Sequence, residues 1–148
     1  LLYGLKEAIN MLHEEGLDNV FKRHDRHAKA TRAAVQAWGL EVLCQEEMDY
    51  SNVLTAVKLP DGHNADQLRK IILENFNMSL GNGLSKLAGK VFRIGHLGDN
   101  NEARTMAALG TVEMAMMDAG IKFRPGSGTG AAAKYWCANP NKALKKIK

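Results

Sequence analysis

The chain has 148 residues, of which 45% are hydrophobic and 24% charged, and its formal net charge is +4. This is the make-up of one ordinary soluble globular domain, large enough to bury about 68–70% of the surface its unfolded chain exposes. No apolar run approaches the roughly 20 residues needed to cross a bilayer, and no basic-then-apolar leader opens the sequence.

The two cysteines, Cys44 and Cys137, stand far apart without a CxxC. They give neither a disulfide framework nor a zinc site, and the reading is two free thiols in a reducing cytoplasm. The pI is near 9.1. Part of the positive excess sits in Lys142, Lys145, Lys146 and Lys148. No nucleic-acid motif accompanies that cluster, so it reads as a solvated tail rather than a nucleic-acid interface. The chain opens Leu1-Leu2-Tyr3 without an initiator Met. That suggests a processed product, a fragment, or the ordered part of something longer.

Leu5, Ile9 and Leu12 recur at helical spacing and predict a helix over 3–14, with Gly16 as its stop. A longer helix is predicted from Leu17 to Trp38, with Leu17, Val20, Phe21, His24, Ala28, Thr31, Val35 and Trp38 on one stripe. Gly39 ends it. Inside it, His24 and His27 flank Asp25 in "KRHDRH". An i, i+3 His pair can hold a metal. There is no HExxH, however, and the surrounding Lys and Arg repel a cation, so the segment reads as a solvated helix face and no metal is expected.

Leu40–Cys44 alternates as a strand, and "QEEMDYS" is polar enough for a loop. Val53–Leu59 is a second strand, closed by a Pro60-Asp61-Gly62 turn. Asn64 can cap the next helix, with Gln67 at capping-box spacing and Leu68, Ile71, Ile72 and Phe76 as its buried stripe. Met78–Leu80 is a short strand at most. Gly81-Asn82-Gly83 and "LSKLAGK" connect it to a strand over Val91–Ile94. Asp99, Asn100 or Asn101 caps the last long helix, which Gly120 ends. Its expected sheet-facing stripe is Ala103, Met106, Ala107, Gly110, Met114 and Met117. The glycines of 124–130 fit neither GxxxxGK nor GxGxxG after a strand. They are expected to form a flexible connector, with one or two helical turns over Ala131–Trp136.

One stretch stands out chemically. In Val91-Phe92-Arg93-Ile94, alternation sends Phe92 and Ile94 to the core, and Val91 and Arg93 to the other face. Arg93 would lie at the end of a strand beside a loop that opens a helix, where unpaired N–H groups attract anions. Its planar fork suits a carboxylate or phosphate. An edge-strand Arg that is simply solvated fits the same local pattern.

The predicted order is helix, helix, strand, strand, helix, short strand, strand, helix. This is an α+β fold, a small antiparallel or mixed sheet with helices on one face. The expected division is a pair of bridging helices over 1–38, an α/β sandwich small domain over 39–121, and a connector and tail over 122–148. The two N-terminal helices read as less integral to the small domain.

The quoted segments also resemble a known family. "LLYGLKEAINMLHEEGLDNVFKRHDRHAKATRAAVQAWGLEVL" resembles the bridging helices of class V pyridoxal-phosphate (PLP) aminotransferases. "RKIILENFNMSLGNGLSKLAGKVFRIGHLGDNNE" is similar to the signature near the end of their serine–glyoxylate and alanine–glyoxylate branch. The likeness runs from Leu1 to about Ile121, and more loosely over Gly128–Trp136.

The resemblance implies the C-terminal small domain of a dimeric fold-type I enzyme that moves an amino group from serine or alanine to glyoxylate. It implies that Arg93 holds the substrate carboxylate and that Gly81, Asn82 and Gly83 lie near the active-site entrance. Asn82 departs from the Thr expected there, and "DNNEARTM" from a more apolar run, so fine specificity does not carry over. In the family the Schiff-base Lys, the stacking aromatic residue and the pyridinium-pairing Asp precede this region, and no lysine here matches the Schiff-base position. No catalytic or cofactor-binding residue is therefore expected in this chain, and alone it is expected neither to hold PLP firmly nor to transaminate. A freestanding α+β module that binds small carboxylates without catalysis is the alternative. A basic interaction domain acting through Lys142–Lys148 is a third reading.

Overall fold

Period-two alternation in four short strands sets the architecture. The structure, a computed structural model, describes residues 1–141, so the Lys142–Lys148 cluster lies outside the described residues. Strands β1 (Glu41–Val42), β2 (Leu54–Lys58), β3 (Gly81–Asn82) and β4 (Val91–Gly95) form an antiparallel sheet in the order β1-β2-β4-β3. Thr55 pairs with Ile94 and Val57 with Phe92. All four residues are buried on one face. Leu54, Ala56 and Arg93 turn to the other. The expected strand over Leu40–Cys44 shrinks to two residues. Gly81-Asn82, expected in a connector, instead pairs with β4 as a short edge strand.

Five helices complete the fold: α1 (Leu2–Glu15), α2 (Leu17–Ala37), α3 (Ala65–Phe76), α4 (Glu102–Asp118) and α5 (Ser127–Ala138). Asn64 Oδ1 accepts from the N–H groups of Asp66 and Gln67, so α3 has the expected cap. α2 and α4 both end in Schellman geometry. Gly39 N–H donates to Gln36 O and Leu40 N–H to Val35 O, and Gly120 and Ile121 repeat the pattern on Met117 and Met116. α2 is integral to the core, contrary to the sequence reading. Its Ala30, Ala34, Val35 and Trp38 join Val57, Ile72, Phe92, Leu109 and Met116 in one hydrophobic cluster. α1 packs on α2 and has no buried residue.

Two expectations about the C-terminal helices are corrected. α4 buries Thr105, Leu109, Val112, Glu113, Ala115 and Met116, while Ala103, Ala107, Met114 and Met117 are exposed. The helix is apolar nearly all round, so its pattern does not fix which side faces inward. The second correction concerns the glycine segment, which is helical from Ser127 rather than a connector.

The cause of that helix is tertiary. The Glu113 carboxylate accepts from the backbone N–H groups of Gly126, Gly128 and Thr129, at 2.9–3.1 Å. It caps α5 from another helix. Trp38 Nε1–H donates to the same carboxylate at 2.8 Å. Burial works to raise the Glu113 pKa, and these donors overcome it and leave it lowered. Gly128 is required for space, because a Cβ there would lie 2.2 Å from Trp38 Nε1.

The loop after β4 is held from α2. His24 Nδ1 donates to Val20 O, so its Nε2 is free to accept from Gly98 N–H at 3.1 Å. Arg23 donates to Gly98 O and Asn100 O and grips both carboxylate oxygens of Glu15. His96 is fully buried. Its Nδ1 donates to Asn52 O, and its Nε2 accepts from Thr55 Oγ1. His27 is buried too, with its ring edge-on to Trp136. The solvated face expected for "KRHDRH" is thus corrected: both histidines point inward, because the helix stripe and the loop beside it enclose them.

These contacts make two predictions. Glu113→Ala should lower the unfolding free energy by about 3 kcal/mol in denaturant melts, since it removes the acceptor of four donors at once, of which the Gly128 N–H and the Trp38 indole N–H are buried. Burial pushes His96 down to about 4 from an ordinary 6.5, and burial also lowers His27. The native state therefore resists a proton that the unfolded chain accepts. Stability should be complete above about pH 6.5 and fall by up to about 3 kcal/mol as pH drops toward 4. Melts across that window, with His96→Gln flattening the slope, check it.

Candidate functional site

Arg93 sits in the middle of β4, not at its end. Ala56 of β2 and Gly81 of β3 lie directly opposite it. With Phe92 and Ile94 committed to the core, the guanidinium must leave from the open face of the sheet. It is half-buried there and lines a cavity of about 520 Å³ with Leu54, Met78, Leu80, Gly81, Gly95 and Ala108. Arg93 is the only charged side chain in that lining. Its Nε is buried and has no hydrogen-bond partner. Among the described residues no carboxylate lies within ion-pair distance of it.

The other sequence-chosen residues are placed differently from one another. Gly81 lies against Arg93 and lines the cavity. Asn82 pairs with Phe92, is exposed, and donates its side-chain N–H to Gly83 O. Gly83 donates its N–H to Val91 O and lies against the backbone, where a Cβ would be 2.0 Å from Leu87 O. The helix N-terminus invoked beside Arg93 is already capped. Asn101 Oδ1 accepts from Arg104 N–H, and Glu102 occupies the first turn of α4. The start of α4 is thus occupied by its own side chains, and the arginine stands alone.

The cavity lining contains neither a lysine nor a carboxylate. These residues do not fit PLP, which needs a lysine for its aldehyde and an acid for its ring nitrogen. Among the described residues no group of three or more His, Cys, Asp or Glu could hold a metal ion. No helix among them is long and apolar enough to cross a membrane. Cys44 and Cys137 are free thiols.

A second hollow of about 580 Å³ lies away from Arg93, between α1, α2 and the loop at Leu97–Asp99. Its walls are mainly apolar, with Met11, Leu12, Val20 and Phe21 prominent, and sequence reading did not single it out. Phe21, placed by its spacing on the apolar stripe of α2, is exposed at this hollow, as is Leu97.

No family model matches the chain. Curated relatives do. The chain is 47% identical over 143 residues to the serine–glyoxylate aminotransferase of Hyphomicrobium methylovorum, covering 97% of this chain and 35% of that protein. It is 47% identical over 140 residues to the enzyme of the same name from Methylorubrum extorquens, with 95% and 35% covered. The solved pyridoxamine–pyruvate aminotransferase of Mesorhizobium loti superposes with a TM-score of 0.86 at 35% identity, over 92% of this chain and 35% of that one. The chain thus spans about a third of the length of the proteins it matches. With helices packed on one face of a small antiparallel sheet, and with these relatives, the chain belongs to the class V pyridoxal-phosphate aminotransferases and corresponds to the C-terminal small-domain region of their serine–glyoxylate and alanine–glyoxylate branch.

Proposed function

We propose that this region supplies the substrate-carboxylate anchor of a serine–glyoxylate-type aminotransferase, and that the anchor is Arg93. The observation behind this reading is a half-buried guanidinium with an unpartnered Nε, in a cavity with no other charged side chain. A half-buried cation that no described residue neutralises favours an anion from elsewhere. The arginine fork takes a carboxylate through two parallel N–H···O bonds, which fixes orientation as well as charge.

Serine or alanine as amino donor and glyoxylate as acceptor each bring one α-carboxylate. A single arginine can therefore hold both in turn and keep the reacting carbon in one place. In the complete enzyme PLP would supply the electron sink, and the residues around Arg93 would not hold it. This chain's part is to bind and orient, and without the PLP-binding domain it does not transaminate. The exposed Leu2, Leu5 and Ile9 of α1 and Phe21 of α2 suit cover by that domain or by the second subunit of a homodimer. Free thiols suit a cytoplasmic enzyme.

In the complete enzyme, Arg93→Ala should raise the donor KM and lower kcat/KM by about 10- to 100-fold, the loss expected for a charged hydrogen bond. Arg93→Lys should recover only part of this, because a point charge lacks the fork. Steady-state kinetics with serine and glyoxylate check both, and unchanged constants would remove Arg93 from the site. Calorimetry on this chain alone separates the two functional readings. Micromolar affinity for serine, alanine or glyoxylate would favour a freestanding binding module over a domain that works only in the complete enzyme.

A further inference from the structure

We propose that Gly81 is a positioning residue for Arg93: its missing side chain leaves the slot in which the guanidinium lies, and a larger residue turns the fork away from the carboxylate. This rests on reading Arg93 as the anchor. Three observations lead to it. Gly81 stands directly opposite Arg93 in the β3–β4 register. A Cβ at position 81 would lie 3.0 Å from both Cβ and Nε of Arg93 and 3.4 Å from Cζ. And the Gly81 backbone is not among the positive-φ glycines, so chain geometry does not demand a glycine there.

Opposed side chains in an antiparallel pair normally have Cβ atoms about 4.5–5.5 Å apart and rise from the sheet side by side. Arg93 instead folds across the edge strand. Its Nε is buried at that crossing, and only a residue without a Cβ leaves the crossing open. Ala56 on the opposite side is the next smallest choice, so the guanidinium is flanked by the two least bulky residues available. The guanidinium is planar and rigid, so a displacement at Nε moves both outer nitrogens together and misaligns the paired bonds at once. Gly83 is different, because its constraint is a backbone carbonyl and not the site.

The test uses the 15N-labelled chain. The Arg93 Nε–Hε resonance is assigned by its loss in Arg93→Lys, and acetate serves as the carboxylate probe. In Gly81→Ala the Arg93 Nε–Hε resonance should move, while the backbone amides of Val57 and Ile94 keep their positions. Acetate affinity should fall by about 5- to 10-fold, the scale of one impaired charged hydrogen bond. An unmoved Nε–Hε resonance with unchanged acetate affinity overturns the proposal. The anchor reading fails separately if the wild-type chain binds acetate no better than Arg93→Lys. In that event the Nε–Hε resonance alone decides, displacement supporting the positioning role and constancy overturning it. If Gly81→Ala does not fold, the same substitution is placed in an Arg93→Ala background. Arg93→Ala keeps the Cβ contact and removes the guanidinium, so a smaller loss of thermal midpoint in that background supports a clash with the guanidinium, and an equal loss in both backgrounds overturns it.

Discussion

Strand β4 can face only one way. Phe92 and Ile94 pack opposite Val57 and Thr55 under the helices, and each large apolar side chain buried there contributes roughly 1.5–3 kcal/mol. The two-residue period then leaves Arg93 no choice but the open face. A slip of one residue would drive its guanidinium into the hydrophobic cluster and lift Phe92 and Ile94 into solvent. The position of the one charged group in the cavity is therefore set by core packing, not by anything the group touches. This is a stiff way to aim a side chain, since moving it requires unpacking the sheet.

The same strand is tied to the rest of the chain by imidazoles and one shared carboxylate. His96 joins the end of β4 to Asn52 and Thr55, and His24 receives the Gly98 N–H from α2. Arg23 then links that loop to Glu15 at the end of α1. On the other side of the core, Glu113 ends a chain of contacts that closes the helical layer. It gathers the first N–H groups of α5 and the Trp38 indole, and Gly128 lets the indole approach. Burying a carboxylate is costly on its own, but four donors offset the loss of water and make the site specific for an anion.

Much of this was legible in the sequence where a local rule decides the outcome. The Asn64 cap, the glycine stops after α2 and α4, and the inward pair Phe92 and Ile94 each depend on neighbours close in the chain. Contacts distant in sequence were not legible. Nothing near Gly126–Thr129 announces a helix, because the group that caps it, Glu113, belongs to α4. The face of α4 was misread because methionines and alanines surround it, and only packing against α3 and α5 selects Leu109, Val112 and Met116. His24 and His27 resembled a solvated charge run because their flanking residues are charged. Their burial depends on Gly98 and Trp136, both far away in the chain. Arg93 was singled out because its type and its alternation agree, and its exit from the open face follows from that alternation. The slot beside it needs the β3 register, which a two-residue strand does not reveal.

On the reading proposed for Arg93, the fold presents one wall of a recognition site. Arg93 offers a rigid fork, and among the described residues no carboxylate occupies it and no lysine lines its cavity. An isolated domain gains nothing from a half-buried cation with an orphaned Nε. A solvated arginine would avoid the cost of the missing hydrogen bond, about 1–3 kcal/mol. The arrangement is economical only when a carboxylate arrives in a setting that excludes water, where charged hydrogen bonds are strongest. That setting requires a second wall over the open face of the sheet. The relatives that match this chain are about three times its length, which is room enough for such a wall. On the proposed reading the orphaned nitrogen is a stability cost borne by this region and offset when the fork meets a carboxylate.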